Sequence, residues 1–492
     1  MQRDSHDLIL ARARPSDRPR ISSDPPPIAA EGEGLWALAR EALRGGERDY
    51  TQLPLRRAAF LLALPMVMEM AMESLFAVAD IFWVSRLGAD AVATVGLTES
   101  LIAAVYAIAF GVSMAATAVV SRRVGEGDRA GASLAAGQTL LISCLASIVI
   151  GVVGLSTGGT MLAWMGASSE VVAIGSGYAR IMLGGSLTVL LLFALNAVFR
   201  GAGDAVTAMR SLWLANFANI VLGPLFIFGL GPLPAQGVTG AAIATTLGRG
   251  IGVLYQLALL IRRRGQLQVQ PAHLWPNREV LANLSRVATT GTLQSLLETT
   301  SWLGLVRILS TFGSVALAGY TVAMRIAIFA LLPSWGMANA AATLVGQNLG
   351  AGKPDRAARA VWVVGFYNFL FLGAVGLVFT LWPGPLVGFF TRDPAELKFA
   401  SDCLRIVALG FLMFAYGMVL IQAFNGAGDT RTPTLLNVVC FWCFKIPLAY
   451  LLALPLGLGP NGVFIAITAA YSLLAGLAAL LFRRGRWKTQ RV

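Results

Sequence analysis

The chain has 492 residues, of which 56% are hydrophobic and 13% charged, with a mean hydropathy of +0.70. Soluble domains carry about 25% charged residues, so a soluble enzyme or a soluble nucleic-acid binder is excluded. The net charge of +13 does not argue for nucleic acid either, because the Lys and Arg residues sit in short loops between long apolar runs rather than on one face.

In chain order, residues 1–56 come first: rich in Arg and Asp, with Pro25, Pro26 and Pro27, and without a long apolar run. They read as a disordered basic tail, with Gly34 to Arg44 able to form a short amphipathic helix. No apolar core of signal-peptide length occurs there, so the first span is expected to stay uncleaved. Twelve runs then follow that are long enough to cross a bilayer, which needs roughly 17–25 apolar residues. They lie near 57–85, 92–120, 132–155, 171–198, 207–229, 238–261, 287–311, 316–345, 357–382, 400–424, 433–455 and 460–482. The predicted organisation is a six-helix lobe over 57–262, a linker over 263–286, a second six-helix lobe over 287–482 and a basic tail over 483–492.

Loops alternate in charge. One set carries Arg122, Arg123 and Arg129, then Arg200 and Arg210, Arg262 to Arg264, Lys353, Arg356 and Arg359, and Arg431. Both tails belong to that set, with Arg56, Arg57, Arg483 and Arg484. The positive-inside rule therefore puts both termini in the cytoplasm, which an even number of spans also requires.

The two halves repeat each other. Phe199-Arg200-Gly201-Ala202-Gly203-Asp204 returns 225 positions later as Phe424-Asn425-Gly426-Ala427-Gly428-Asp429. Gly111, Gly125 and Gly127 return as Gly336, Gly350 and Gly352 in the same register. Six spans is an even number, so the copies run parallel, and such repeats place a substrate site near the midplane at their interface. The fold class expected is an all-α polytopic membrane protein of twelve transmembrane helices in two pseudo-symmetric lobes.

Few chemistries remain open. His6 and His273 lie outside the spans, and Cys440 and Cys443 fall one turn apart in a helical run, so no metal or redox site and no cofactor is expected. Gly350-Ala351-Gly352-Lys353-Pro354 lacks the Ser or Thr that a P-loop has after its Lys, so it is a turn.

Acids at membrane depth cost several kcal/mol and mark functional sites. The first span holds Glu69, Glu73 and Asp80. On a helix, Glu73 lies about 40° and Asp80 about 20° from Glu69, so all three share one face. Crowded, buried carboxylates suit a proton carrier, or a site neutralised by Na⁺ or an organic ammonium; pairing within the fold is the structural alternative. In the repeat register Glu73 becomes Glu298 and Glu69 becomes Gln294, so both halves point a polar or acidic pair toward the shared interface. Lys445 and Arg325 are basic residues inside spans, suited to pairing with an acid or to snorkelling. Asn219 in the fifth span offers an amide oxygen to a cation, or interhelical glue.

The run Val78-Ala79-Asp80-Ile81-Phe82-Trp83-Val84-Ser85-Arg86-Leu87-Gly88 resembles the first-span signature of the multidrug and toxic compound extrusion (MATE) family. Arg200-Gly201-Ala202-Gly203-Asp204, Pro224 to Gly229, Gly240 to Thr245 and Gly346-Gln347-Asn348-Leu349-Gly350 are similarly typical, and the resemblance covers about 55–485. The lack of an acid over residues 403–424 of the tenth span is similar to the DinF-like branch. The resemblance implies a monomeric inner-membrane antiporter that exports bulky, often cationic compounds in exchange for H⁺ or Na⁺. It implies coupling roles for Asp80, Asn219 and Thr245, and a role for Glu298, while Gly223 stands where many members have an Asp. Glu73 and Glu69 join the coupling set from their position; Glu298, Gln294 and Glu73 form the expected substrate set. The competing reading is a flippase for a lipid-linked saccharide, which would favour a cationic cavity.

Overall fold

The computed structural model describes residues 34–46, 48–229, 234–262 and 267–490. The chain divides into two units between Arg40 and Glu41. Of the first, the described residues open a helix, Leu35–Arg44, with Leu35 and Trp36 exposed. The rest of the expected tail over 1–33 lies outside the described residues.

Everything else described is a helical bundle. Ten helices among the described residues are long and apolar enough to cross a membrane, and a bent pair makes an eleventh. They fall on the runs expected from the sequence. The remaining expected span is Arg278–Leu309, which has the length but is too polar to pass on hydropathy, because it carries Thr289, Thr290, Thr292, Gln294, Glu298 and Thr299. Polar side chains on such a helix must face protein or water rather than lipid.

The repeat is visible in the backbone. The fourth span is two helices, Ser169–Gly184 and Ser186–Gly201, broken at Gly185. The tenth is Pro394–Leu409 and Phe411–Gly426, broken at Gly410 and bent by 58°. Gly185 and Gly410 are 225 positions apart. The turns that follow also match. Asp204 caps the helix Ala205–Phe228 by accepting from the Thr207 amide at 3.1 Å, and Asp429 accepts from the Thr432 amide at 3.2 Å. Each cap satisfies an amide at a helix start that has no partner within the helix.

The lobes meet through glycines. The second span, Ala89–Gly125, crosses Arg278–Leu309 at Gly111, where a β-carbon would stand 2.4 Å from the Ala288 carbonyl oxygen. The eighth span, Ser314–Gly350, crosses the first, Leu55–Ser85, at Gly336, where a β-carbon would stand 2.5 Å from the Met66 carbonyl oxygen. Nearer the Arg-bearing end, Gly125 lies against the Gln347 backbone and Gly350 against that of Arg122. There Thr343 Oγ1 donates to the Arg200 carbonyl at 3.2 Å and Gln347 Nε2 to the Gly201 carbonyl at 3.0 Å. Small residues let helix backbones approach this closely.

Two expected boundaries are corrected. Residues 41–56 are not a disordered tail where described. Tyr50 is buried and donates to the Gly203 carbonyl at 3.2 Å, while Lys353 Nζ donates to the Thr51 carbonyl at 3.0 Å and Arg356 to that of Tyr50 at 3.1 Å. Burial pushes the Tyr50 hydroxyl up to about 12. The segment thereby touches both lobes. The linker expected over 263–286 is structured where described, from residue 267: Gln138, fully buried, donates to the carbonyls of His273 and Trp275 at 2.6 and 2.8 Å, and residues 278–286 already belong to the seventh helix. In both segments, polar groups of the bundle take the loop backbone as their partner, which a hydropathy profile does not register.

Candidate functional site

The three acids of the first span share a face, as their spacing predicts, yet meet three different surroundings. Glu69 is fully buried. Its Oε1 accepts from Arg200 Nη1 at 3.2 Å and Asn196 Nδ2 at 3.1 Å, and Gln256 Nε2 donates to Asn196 Oδ1 at 2.7 Å. Oε2 of Glu69 is buried with no hydrogen-bond partner among the described residues. An ion pair this deep is held by mutual compensation. Glu69 therefore sits in a closed network rather than at an open surface.

Glu73, one turn on, is half-buried and accepts from Asn216 Nδ2 of the fifth span at 3.1 Å. Asp80 is half-buried as well, and has Arg249 and Glu99 within electrostatic range. Arg249, on the sixth span Gly237–Ile261, is buried; its Nη2 donates to Tyr106 Oη at 2.7 Å and its charge also reaches Glu73. Sequence reasoning passed over Arg249 and Glu99. Both lie inside predicted spans, so the rule that flagged the first-span acids would have flagged them too.

Asn219 and Thr245 are brought together, but with each other: Asn219 Nδ2 donates to Thr245 Oγ1 at 2.8 Å. Gly248 makes this possible, since a β-carbon there would stand 2.6 Å from the Ala215 carbonyl and 3.1 Å from Asn219. Gly223 faces the first span, with Trp83 Cδ1 3.7 Å from where its β-carbon would be. The carboxylate that would complete a cation cage with Asp80 is absent at that point.

In the second lobe the expected pair separates. Gln294 is buried, its backbone carbonyl accepting from Asn437 Nδ2 at 3.1 Å and its side-chain oxygen meeting no donor among the described residues. It lines no open surface in this structure. Glu298 is half-buried, and Lys445 is the cation within its electrostatic range. Lys445 is fully buried and donates to Ser301 Oγ at 2.9 Å. Arg325 is exposed and within electrostatic range of Glu99 across the interface between the second and eighth spans.

The chain matches the family model described as MatE twice, over residues 65–225 and 292–451, one match in each lobe. It is 26% identical over 438 residues to a probable multidrug resistance protein NorM of Thermotoga maritima, covering 89% of this chain and 94% of that one. It is 23% identical to the multidrug export protein MepA of Staphylococcus aureus, covering 88% and 94% of the two chains. Its fold superposes with a TM-score of 0.84, at 27% identity and over 90% of this chain and 98% of the other, on a solved structure described as the outward-facing conformation of a multidrug resistance MATE family transporter. With both repeats matched and the glycine-seamed two-lobe bundle in place, the chain belongs to the MatE family of membrane transporters.

Proposed function

We propose that this protein is a proton-driven antiporter that exports bulky amphipathic organic cations from the cytoplasm across the inner membrane, working as a monomer with both termini cytoplasmic. The observation that carries the proposal is the charge inventory beside the first span: two half-buried carboxylates, Glu73 and Asp80, share the guanidinium of Arg249, while Glu99, which also reaches Asp80, is offset by Arg325. With both acids ionised the site is one charge short of neutral. One proton or one organic monocation makes up the difference, so the two compete for the same deficit.

A Na⁺ site has less support. Thr245 Oγ1 already accepts from Asn219 Nδ2, and Gly223 supplies no third carboxylate. The lobes are sealed by backbone contacts at the Arg-bearing end, so the state described is read as closed to the cytoplasm, and exchange requires the lobes to rock apart there. The absence of an acid over residues 403–424 of the tenth span supports the DinF-like branch. Relatives named for multidrug resistance and multidrug export favour this cargo over a lipid-linked saccharide.

Proteoliposomes decide the matter. Uptake of a fluorescent organic cation is expected under an imposed ΔpH, to be indifferent to ΔNa⁺, and to fall at least tenfold in Asp80→Asn. Uptake that follows ΔNa⁺, or that survives Asp80→Asn under ΔpH, overturns the reading.

A further inference from the structure

The eleventh span changes its winding just where it carries a charge. Val438–Lys445 is a π-helix between the α-helical pieces Arg431–Asn437 and Ile446–Ala453. Pro447 follows immediately and has no N–H to donate, so the regular ladder is interrupted here; wide turns of this kind often mark functional sites. The turn delivers the Lys445 ammonium to the faces of three rings, with centroids at 4.3 Å for Phe441, 4.6 Å for Trp302 and 5.9 Å for Tyr471. Ser301 Oγ takes one of its protons at 2.9 Å. The Glu298 carboxylate, one turn before Trp302 on the same helix, completes the electrostatics. Aromatic faces and a nearby carboxylate are the elements by which proteins recognise organic ammonium groups.

None of this recurs in the first lobe. In the 225-residue register Glu298 corresponds to Glu73, but Lys445 corresponds to Ile220, Phe441 to Asn216, Trp302 to Ala77, Ser301 to Phe76 and Tyr471 to Thr246. Glu73 receives a neutral amide from Asn216 and shares the charge of Arg249 with Asp80, whereas Lys445 is the cation in range of Glu298.

We infer that Trp302, Phe441, Tyr471, Ser301 and Glu298 form an ammonium box whose occupant is the chain's own Lys445, so that the second lobe carries a tethered cation and takes up neither the coupling proton nor a substrate ammonium. Confinement of exchange to the first lobe rests on the antiport reading above; the box itself does not. It also moves Glu298 out of the substrate set in which its repeat position had put it. Besides Glu298 and Lys445, the titratable groups turned toward the box are Tyr471 and, behind it, Tyr320, phenols that are uncharged at neutral pH.

Infrared difference spectra of the purified protein between pH 9 and pH 5 test this without any substrate. In the wild-type background Glu298→Gln is expected to remove none of the protonated-carboxyl signal that appears on acidification. Lys445→Met is expected to add a component, because Glu298 then needs a proton, and Lys445→Met/Glu298→Gln to lose it again. If Glu298→Gln removes a titrating component from the wild type, or Lys445→Met adds none, the inference fails. The single Glu298→Gln comparison stands even if Lys445→Met does not fold. Calorimetry with n-propylammonium gives a second arm: Lys445→Ala should show one more saturable site than the wild type, and equal behaviour of the two overturns the box. Failure of the antiport reading would appear instead as wild-type vesicles that ignore both gradients.

Discussion

Glu69 and Arg200 form an ion pair at 3.2 Å inside the first lobe, and the residues at their repeat positions, Gln294 and Asn425, have lost both charges together. A charge that disappears only when its partner does is held for the pair, not for exchange. The lobe that keeps the pair also adds Asn196, which donates to the carboxylate and itself accepts from Gln256.

Removing one member should therefore be worse than removing both. Glu69→Gln leaves a buried guanidinium uncompensated, a loss of about 3–5 kcal/mol by analogy with other broken buried pairs. Glu69→Gln with Arg200→Asn, the combination the second half already uses, should recover most of it. Thermal unfolding in detergent checks this, and a double variant no more stable than the single one would remove the structural assignment.

Arg249 makes a stoichiometric prediction. Two carboxylates facing one guanidinium leave one exchangeable charge, and Arg249→Gln leaves two. The proton-to-substrate ratio, read from the ΔpH that balances a fixed substrate gradient, is expected to rise from about 1 toward 2. A ratio unchanged in a folded, active Arg249→Gln protein would show that Arg249 does not neutralise Glu73 or Asp80.

At the seam between lobes, Gly336→Val would drive a side chain into the Met66 backbone, 2.5 Å from where the β-carbon must stand. Backbone cannot yield there as a flexible side chain would. The closed contact at the Arg-bearing end should open. A cysteine placed near Glu73 is expected to become reactive from that side in inverted vesicles, with transport reduced at least tenfold.

The segment around Tyr50 bridges the lobes through carbonyl groups, with Arg356 donating to both Tyr50 and Leu53 and Lys353 to Thr51. Arg356→Ala should loosen it by about 1–3 kcal/mol, the usual range for a hydrogen bond to a charged donor. Limited proteolysis between residues 48 and 53 is expected to speed up several-fold, while Asp80-dependent transport is retained at a changed rate.

Much of this was legible in the sequence because the membrane leaves few options. Long apolar runs must be helices, a 225-residue repeat must give two like lobes, and acids inside a span must face protein or water. The glycines at 111, 125, 336 and 350 even marked the seam, although only their register, not their contacts, could be read from the chain.

What the sequence by itself determined was thus the number and direction of the helices, the twofold relation between the halves, and the face on which Glu69, Glu73 and Asp80 lie. Tertiary structure alone decided what each charge meets: Arg200 for Glu69, Asn216 for Glu73, Arg249 near Asp80, and a box of rings around Lys445. The reason is physical. A helix's face and length follow from local periodicity and hydropathy, whereas compensation of a buried charge depends on groups more than a hundred residues away, brought within a few ångströms only by packing.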